Sequence, residues 1–97
     1  MEIQRRLTKT GQLYIPKGLR QYLNFKEQMF LCIYVENNSI IIEHILDENS
    51  HNKIVYNGNK ITVPVEIQRI LGITKDTNLL VTPVCDFKKL VINILSC

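Results

Sequence analysis

The chain has 97 residues, of which 45% are apolar and 22% charged, and its formal net charge is +3. That length holds one small domain and excludes a multi-domain enzyme, and the apolar content excludes a disordered chain. No apolar run approaches the roughly 18 residues that span a bilayer, and no apolar stretch follows the charges of the N-terminal MEIQRRL, so no membrane or signal segment is expected and the place is cytoplasmic.

In chain order, Ile3 to Leu7 reads as a short strand that meets a turn at Lys9-Thr10-Gly11, where Gly11 can take a left-handed conformation. A second strand alternates, with Leu13 and Ile15 on one face and Gln12 and Tyr14 on the other. Pro16 ends it and starts a helix, because proline fixes φ and lacks the amide that a first-turn residue leaves unpaired. Leu19, Tyr22 and Leu23 form one apolar stripe on that helix, and Asn24 stops it. A hairpin follows, with arms Phe30 to Val35 and Ile40 to His44 around Asn37-Asn38. Residues 47–52 are polar and aperiodic and read as a linker.

The second half repeats this plan. Lys53 to Tyr56 is a strand, Asn57-Gly58 a hairpin turn, and Lys60 to Val63 an alternating strand ended by Pro64. Ile67, Ile70 and Leu71 form the helical stripe, Gly72 the stop, and Leu79 to Val84 and Leu90 to Ile94 a hairpin around Asp86-Phe87-Lys88. Pro16 and Pro64 lie 48 positions apart, and at that offset Leu13 falls on Ile61, Leu23 on Leu71 and Leu31 on Leu79. The chain is therefore read as one domain over 1–97, with repeat 1 at 1–46, the linker at 47–52 and repeat 2 at 53–95. One such unit buries too little to be stable alone, whereas two interleaved units share a core.

Arg5-Arg6-Leu7, the turn at Gly11, and Leu13-Tyr14-Ile15-Pro16-Lys17-Gly18-Leu19-Arg20-Gln21-Tyr22-Leu23 resemble the AbrB/SpoVT swapped-hairpin family. Its signature is a basic first strand, G-x-[VIL]-x-[IV]-P, and a helix carrying an arginine and a leucine before a Gly-Ile-like cap. The run from Ile61 to Ile73 is similar to it as well. The resemblance implies a mostly β fold with two short helices, in which two interleaved hairpin–helix repeats form a swapped-hairpin barrel, an intramolecular pseudo-dimer. It also implies a sequence-specific, DNA-binding transcription regulator of the AbrB type. The alternative in the same family is a MazE-like antitoxin that binds a toxin protein and regulates its own expression. Tandem relatives of the MraZ type carry two units in one chain, but the D-x-x-x-R motif that marks them is not found here.

Positive charge concentrates in the two strand–turn–helix segments. Arg5, Arg6, Lys9, Lys17 and Arg20 lie in the first, and Lys53, Lys60 and Arg69 in the second. These eight are the expected DNA contacts, since phosphate neutralisation supplies affinity and arginine adds bidentate donors that read guanine. The family's basic slots hold Arg5, Arg6, Gln12, Arg20 and Gln21 in the first repeat and Lys53, Ile54, Lys60, Gln68 and Arg69 in the second, so the resemblance implies asymmetric contact. The expected partner is double-stranded DNA, with self-association into a homodimer or higher oligomer also open. Cys32, Cys85 and Cys97 are too few and too scattered for a disulfide framework; Cys32 reads as a buried, inert thiol. His44 and His51 lack partners at metal spacing, Tyr14 and Tyr56 read as half-exposed strand tyrosines, and nothing resembles a catalytic set. No enzyme activity, cofactor or metal is expected.

Overall fold

The computed structural model describes residues 2–45, 53–84 and 89–95. The expected linker at 47–52, the turn at 86–88, and His51, Cys85 and Cys97 lie outside the described residues. The elements are β1 (Ile3–Arg5), β2 (Gln12–Tyr14), α1 (Lys17–Leu23), β3 (Met29–Glu36), β4 (Ser39–His44), β5 (Lys53–Tyr56), β6 (Lys60–Thr62), α2 (Val65–Leu71), β7 (Leu79–Val84) and β8 (Lys89–Ile94). The fold is mostly β with two short helices, as expected. Six strands form one antiparallel sheet in the order β1-β7-β8-β4-β3-β5, and β2 pairs with β6 in a separate two-stranded ribbon. Among the described residues no ladder joins the edge strands β1 and β5, so the sheet is not closed.

The turns follow from residues that tolerate positive φ. Asn37 and Asn38 both lie there, at 51° and 65°, which matches the right-handed twist of a two-residue hairpin. The β5–β6 turn also has two such residues, but they are Gly58 and Asn59 rather than Asn57 and Gly58, with Asn57 and Lys60 exchanging backbone bonds across them. In the first repeat Gly11 sits at φ 76° and donates to the Thr8 carbonyl, while Thr8 donates to the Gln12 carbonyl. Asn24 and Gly72 end their helices in the left-handed conformation. Pro16 and Pro64 stand one position before the first helical residue rather than at it, in extended conformation.

The two repeats exchange strands. β1 of the first pairs with β7 of the second, β5 of the second pairs with β3 of the first, and the centre is β4 against β8, with Ile41 opposite Val91. The register corrects the alignment of slots. Arg5 lies opposite Leu79, whereas the residue opposite the equivalent Leu31 is Ile54. Arg5 and Arg6 therefore correspond to Ile54 and Val55, not to Lys53 and Ile54, and Leu7 corresponds to Tyr56. The cause is one extra residue in the first repeat's turn, between Leu7 and Gly11, than between Tyr56 and Asn59.

One face of the six-stranded sheet, the inner face of the ribbon and α1 enclose the core. Leu31, Ile33, Ile42, Leu79 and Leu90 from the sheet meet Leu13, Ile15 and Ile61 around the ribbon and Leu19 and Leu23 from α1. Such burial contributes about 1.5–3 kcal/mol per large side chain, which a single repeat could not collect. The helical stripes are narrower than their spacing suggested: Tyr22 is 48% exposed and Ile70 is 72% exposed. No residue of α2 is fully buried; Ile67 and Leu71 only pack against the core's edge. Cys32 is half-buried and belongs to the opposite face of the sheet from the core, because its neighbours Leu31 and Ile33 take the inward positions.

Candidate nucleic-acid interface

The ribbon is built from one strand of each repeat. Leu13 lies opposite Ile61 and both are fully buried, which fixes the alternate pairs Gln12–Thr62 and Tyr14–Lys60 on the outward face. Two further bonds clamp its ends, Ile15 N–H to the Asn59 carbonyl and Val63 N–H to the Gly11 carbonyl, each 2.9 Å. They are equivalent contacts of the two repeats, 48 positions apart. Tyr14 is 46% exposed, as expected of a strand tyrosine on a solvated face. No acidic side chain lies on the ribbon.

The expected contact residues distribute unevenly around it. Lys60 is on the ribbon itself, Lys9 in the turn that leads into β2, and Lys17 at the start of the helix that leaves it; all three are exposed. Arg5 shares the inward-turned face of its strand with Leu79 but lies at the sheet's edge, exposed, with Nη1 donating to the Gln4 carbonyl at 3.0 Å. Arg6 is exposed and donates from Nε to Asn78 Oδ1 at 2.9 Å. Arg69 is exposed on α2. Lys53 is the outlier. It lies opposite Cys32, on the sheet face turned away from the ribbon, with Nζ 5.6 Å from the centre of the Phe30 ring.

Beside the ribbon an open groove of about 370 Å³ lies against β5. Ile54, Val55, Lys60, Thr62, Gln12 and Pro64 are among the residues that line it. Lys60 carries the groove's one charge. The corresponding slots of the first repeat replace the two aliphatic residues with Arg5 and Arg6, so the two ends of the ribbon differ in charge although they share a backbone plan.

Arg20 is half-buried rather than free at the surface. Its Nη1 and the Tyr56 hydroxyl are both buried and make no hydrogen bond. Burial pushes the Tyr56 phenol above its ordinary value, and the nearby Arg20 charge opposes that rise. Tyr56 itself is 1% exposed, which corrects the reading of it as half-exposed; Ile54 and Tyr56 alternate onto the inner face together, a parity visible in the strand. At the slot of Arg20 the second repeat has Gln68, whose Nε2 donates to the Val63 carbonyl at 2.8 Å over Gly11. His44 Nε2 contacts the Leu23 carbonyl at 2.9 Å, and its ring lies against Phe25. Glu27 and Gln28, unmarked by any sequence signal, tie α1 to the β5–β6 turn.

Among the described residues no group of three His, Cys, Asp or Glu side chains gathers at metal distance, and no helix is long and apolar enough to cross a membrane. Comparison with known proteins finds no matching family model, no matching curated protein and no matching solved structure.

Proposed function

We propose that the chain is a sequence-specific DNA-binding transcription regulator of the AbrB type, a pseudo-dimer fused into one polypeptide whose two repeats interleave in the swapped-hairpin manner. The observation that carries this reading is the β2–β6 ribbon, with Gln12, Tyr14, Lys60 and Thr62 on its outward face and no acidic group among them. A two-stranded ribbon fits the major groove, where amide and hydroxyl side chains hydrogen-bond to base edges. Lys9, Lys17 and Arg5, on the segments that enter and leave the ribbon or border it, supply phosphate contacts that fix its register. The resemblance in Arg5-Arg6-Leu7 and Ile15-Pro16-Lys17-Gly18-Leu19-Arg20 supports the same reading.

The test is binding to duplex DNA fragments followed by fluorescence anisotropy across a salt series. Wild-type protein binds with an affinity that falls steeply with salt. A triple variant, Arg5→Ala, Arg6→Ala and Lys60→Ala, melts with the wild type, because lone exposed charges contribute little to stability. Its salt slope is shallower by about 2.7, since each phosphate no longer neutralised by the protein removes roughly 0.9. A folded triple variant with wild-type affinity and slope refutes the proposal.

A further inference from the structure

β5 is an edge strand of the six-stranded sheet, and round the β5–β6 turn its outward face runs on into the outward face of the ribbon. Counted back from the Asn57–Lys60 bridge, Val55 falls on the same side of this hairpin as Lys60 and Thr62. Those three residues line the groove of about 370 Å³, as do Ile54 and Pro64. Val55 is 40% exposed, whereas Ile54 packs against the core and anchors the strand. The hairpin is held in place by the first repeat. Gln28 N–H donates to the Tyr56 carbonyl at 2.8 Å, and its Nε2 to Asn57 Oδ1 at 3.1 Å. The Glu27 carboxylate accepts from the amides of Gly58 and Asn59 at 2.8 and 3.0 Å. The groove is therefore formed in the free protein, with an exposed aliphatic side chain, one lysine and no acidic residue among those that line it.

We propose that this groove takes the methyl edge of a thymine in duplex DNA, with Val55 as the residue that reads the methyl and Lys60 on a neighbouring phosphate. This rests on the DNA-binding reading above and names the base that the second repeat selects. Thymine alone among the four bases carries a methyl group in the major groove, and an aliphatic contact, not a hydrogen bond, recognises it. Val55 offers that contact at little entropic cost, because a β-branched side chain has few rotamers to lose. A cation beside it, with no acidic residue in the groove, suits the phosphate backbone on which the base is carried. The first repeat is built for a different base. Its register places Arg5 and Arg6 at the slots of Ile54 and Val55, and arginine donates to the edge of guanine. The two halves of a bound site therefore differ in kind, guanine in one and thymine in the other.

Duplexes selected from a random pool should carry thymine in one half of the bound site. Replacing single thymines there by deoxyuridine removes the methyl and nothing else. At the position that meets Val55 the wild type should bind the uracil duplex about fourfold more weakly, the worth of one buried methyl-sized group. The salt slope stays the same, because no charge is lost. Val55→Ala should bind the thymine and uracil duplexes equally. Val65→Ala, at a residue 58% exposed on α2 and outside the groove, should keep the full wild-type response. The uracil comparison uses the wild type alone and stands however the variants fold. Selected sites without thymine, a wild type indifferent to deoxyuridine at every thymine, a Val55→Ala variant that still distinguishes the two duplexes, or a Val65→Ala variant that no longer does overturns the proposal. A wild type that binds no duplex refutes the DNA reading itself, and this assignment with it; binding without any methyl response refutes the assignment to thymine alone.

Discussion

Gly11→Ala tests the join between the two repeats. Gly11 sits at φ 76°, where an L-residue with a β-carbon is strained, and a β-carbon built there would overlap Gln68 Nε2. The backbone cost is about 1–2 kcal/mol. The end of Gln68 can swing away, but then its bond to the Val63 carbonyl is broken, at about another 1 kcal/mol. The sum is about 2–3 kcal/mol, or a fall in Tm on the order of 10–20 °C for a domain of this size. Gln68→Ala alone removes the same bond and costs about 1 kcal/mol. Adding Gln68→Ala to Gly11→Ala should therefore cost nothing more, because the bond is already gone and the overlap is relieved. Urea melts of the wild type, both single variants and the double variant measure this coupling of about 1 kcal/mol. Strict additivity, or a Gly11→Ala variant as stable as the wild type, would show that Gly11 and Gln68 are not coupled in this way.

Ile70→Gln should change stability by no more than about 0.5 kcal/mol in a thermal melt, since this residue is 72% exposed despite its place in the apolar stripe. Asn24→Ala should cost about 1 kcal/mol by the same assay, because the helix ends there at φ 58°, where asparagine is tolerated and alanine is not. Alkaline melts should show stability falling as pH rises above 10.0. Tyr34, through burial and then the charges of Glu43 and Glu36, and Tyr56, mainly through burial, hold their phenols neutral above that ordinary value. Folding thus favours the neutral forms, and that advantage is complete below the ordinary value and lost as the raised values are passed. Tyr56→Phe should flatten part of the alkaline slope. Fragments 1–48 and 49–97, each dilute, should give no cooperative melt alone but regain one when mixed, because β1, β4 and β5 all pair across the repeats.

Much of this architecture is legible in the sequence because its signals are local. Prolines at the strand–helix junctions, asparagine and glycine at positive φ, and the alternation of Leu13, Ile15, Ile61 and Val63 each act within a few residues. The slot alignment of the first strands was not legible at constant offset, since one added residue in the turn before Gly11 shifts everything upstream of it. Only the pairing of Arg5 with Leu79 and Ile54 with Leu31 reveals that shift. Helical spacing predicted a stripe through Tyr22 and Ile70, but a seven-residue helix at the rim of a small core buries barely two side chains. Of the candidate site, the residue types and their clustering were visible. The hydrogen bonds of Glu27 and Gln28 to the opposite repeat depend on strand exchange and leave no mark in a single sequence.

The corrected slots make the two ends of the ribbon more unlike than the sequence alone suggests. Arg5, Arg6, Gln12 and Arg20 on one side stand against Ile54, Val55, Lys60 and Gln68 on the other. Selection of bound sites from a random pool of duplexes tests this most directly. The enriched sites should lack two-fold symmetry at one chain per site, with one half read strongly and losing its preference in Arg20→Ala, while Lys60→Ala weakens all sequences alike. A pool unchanged from its input, or perfectly palindromic sites bound by a single chain, would contradict it.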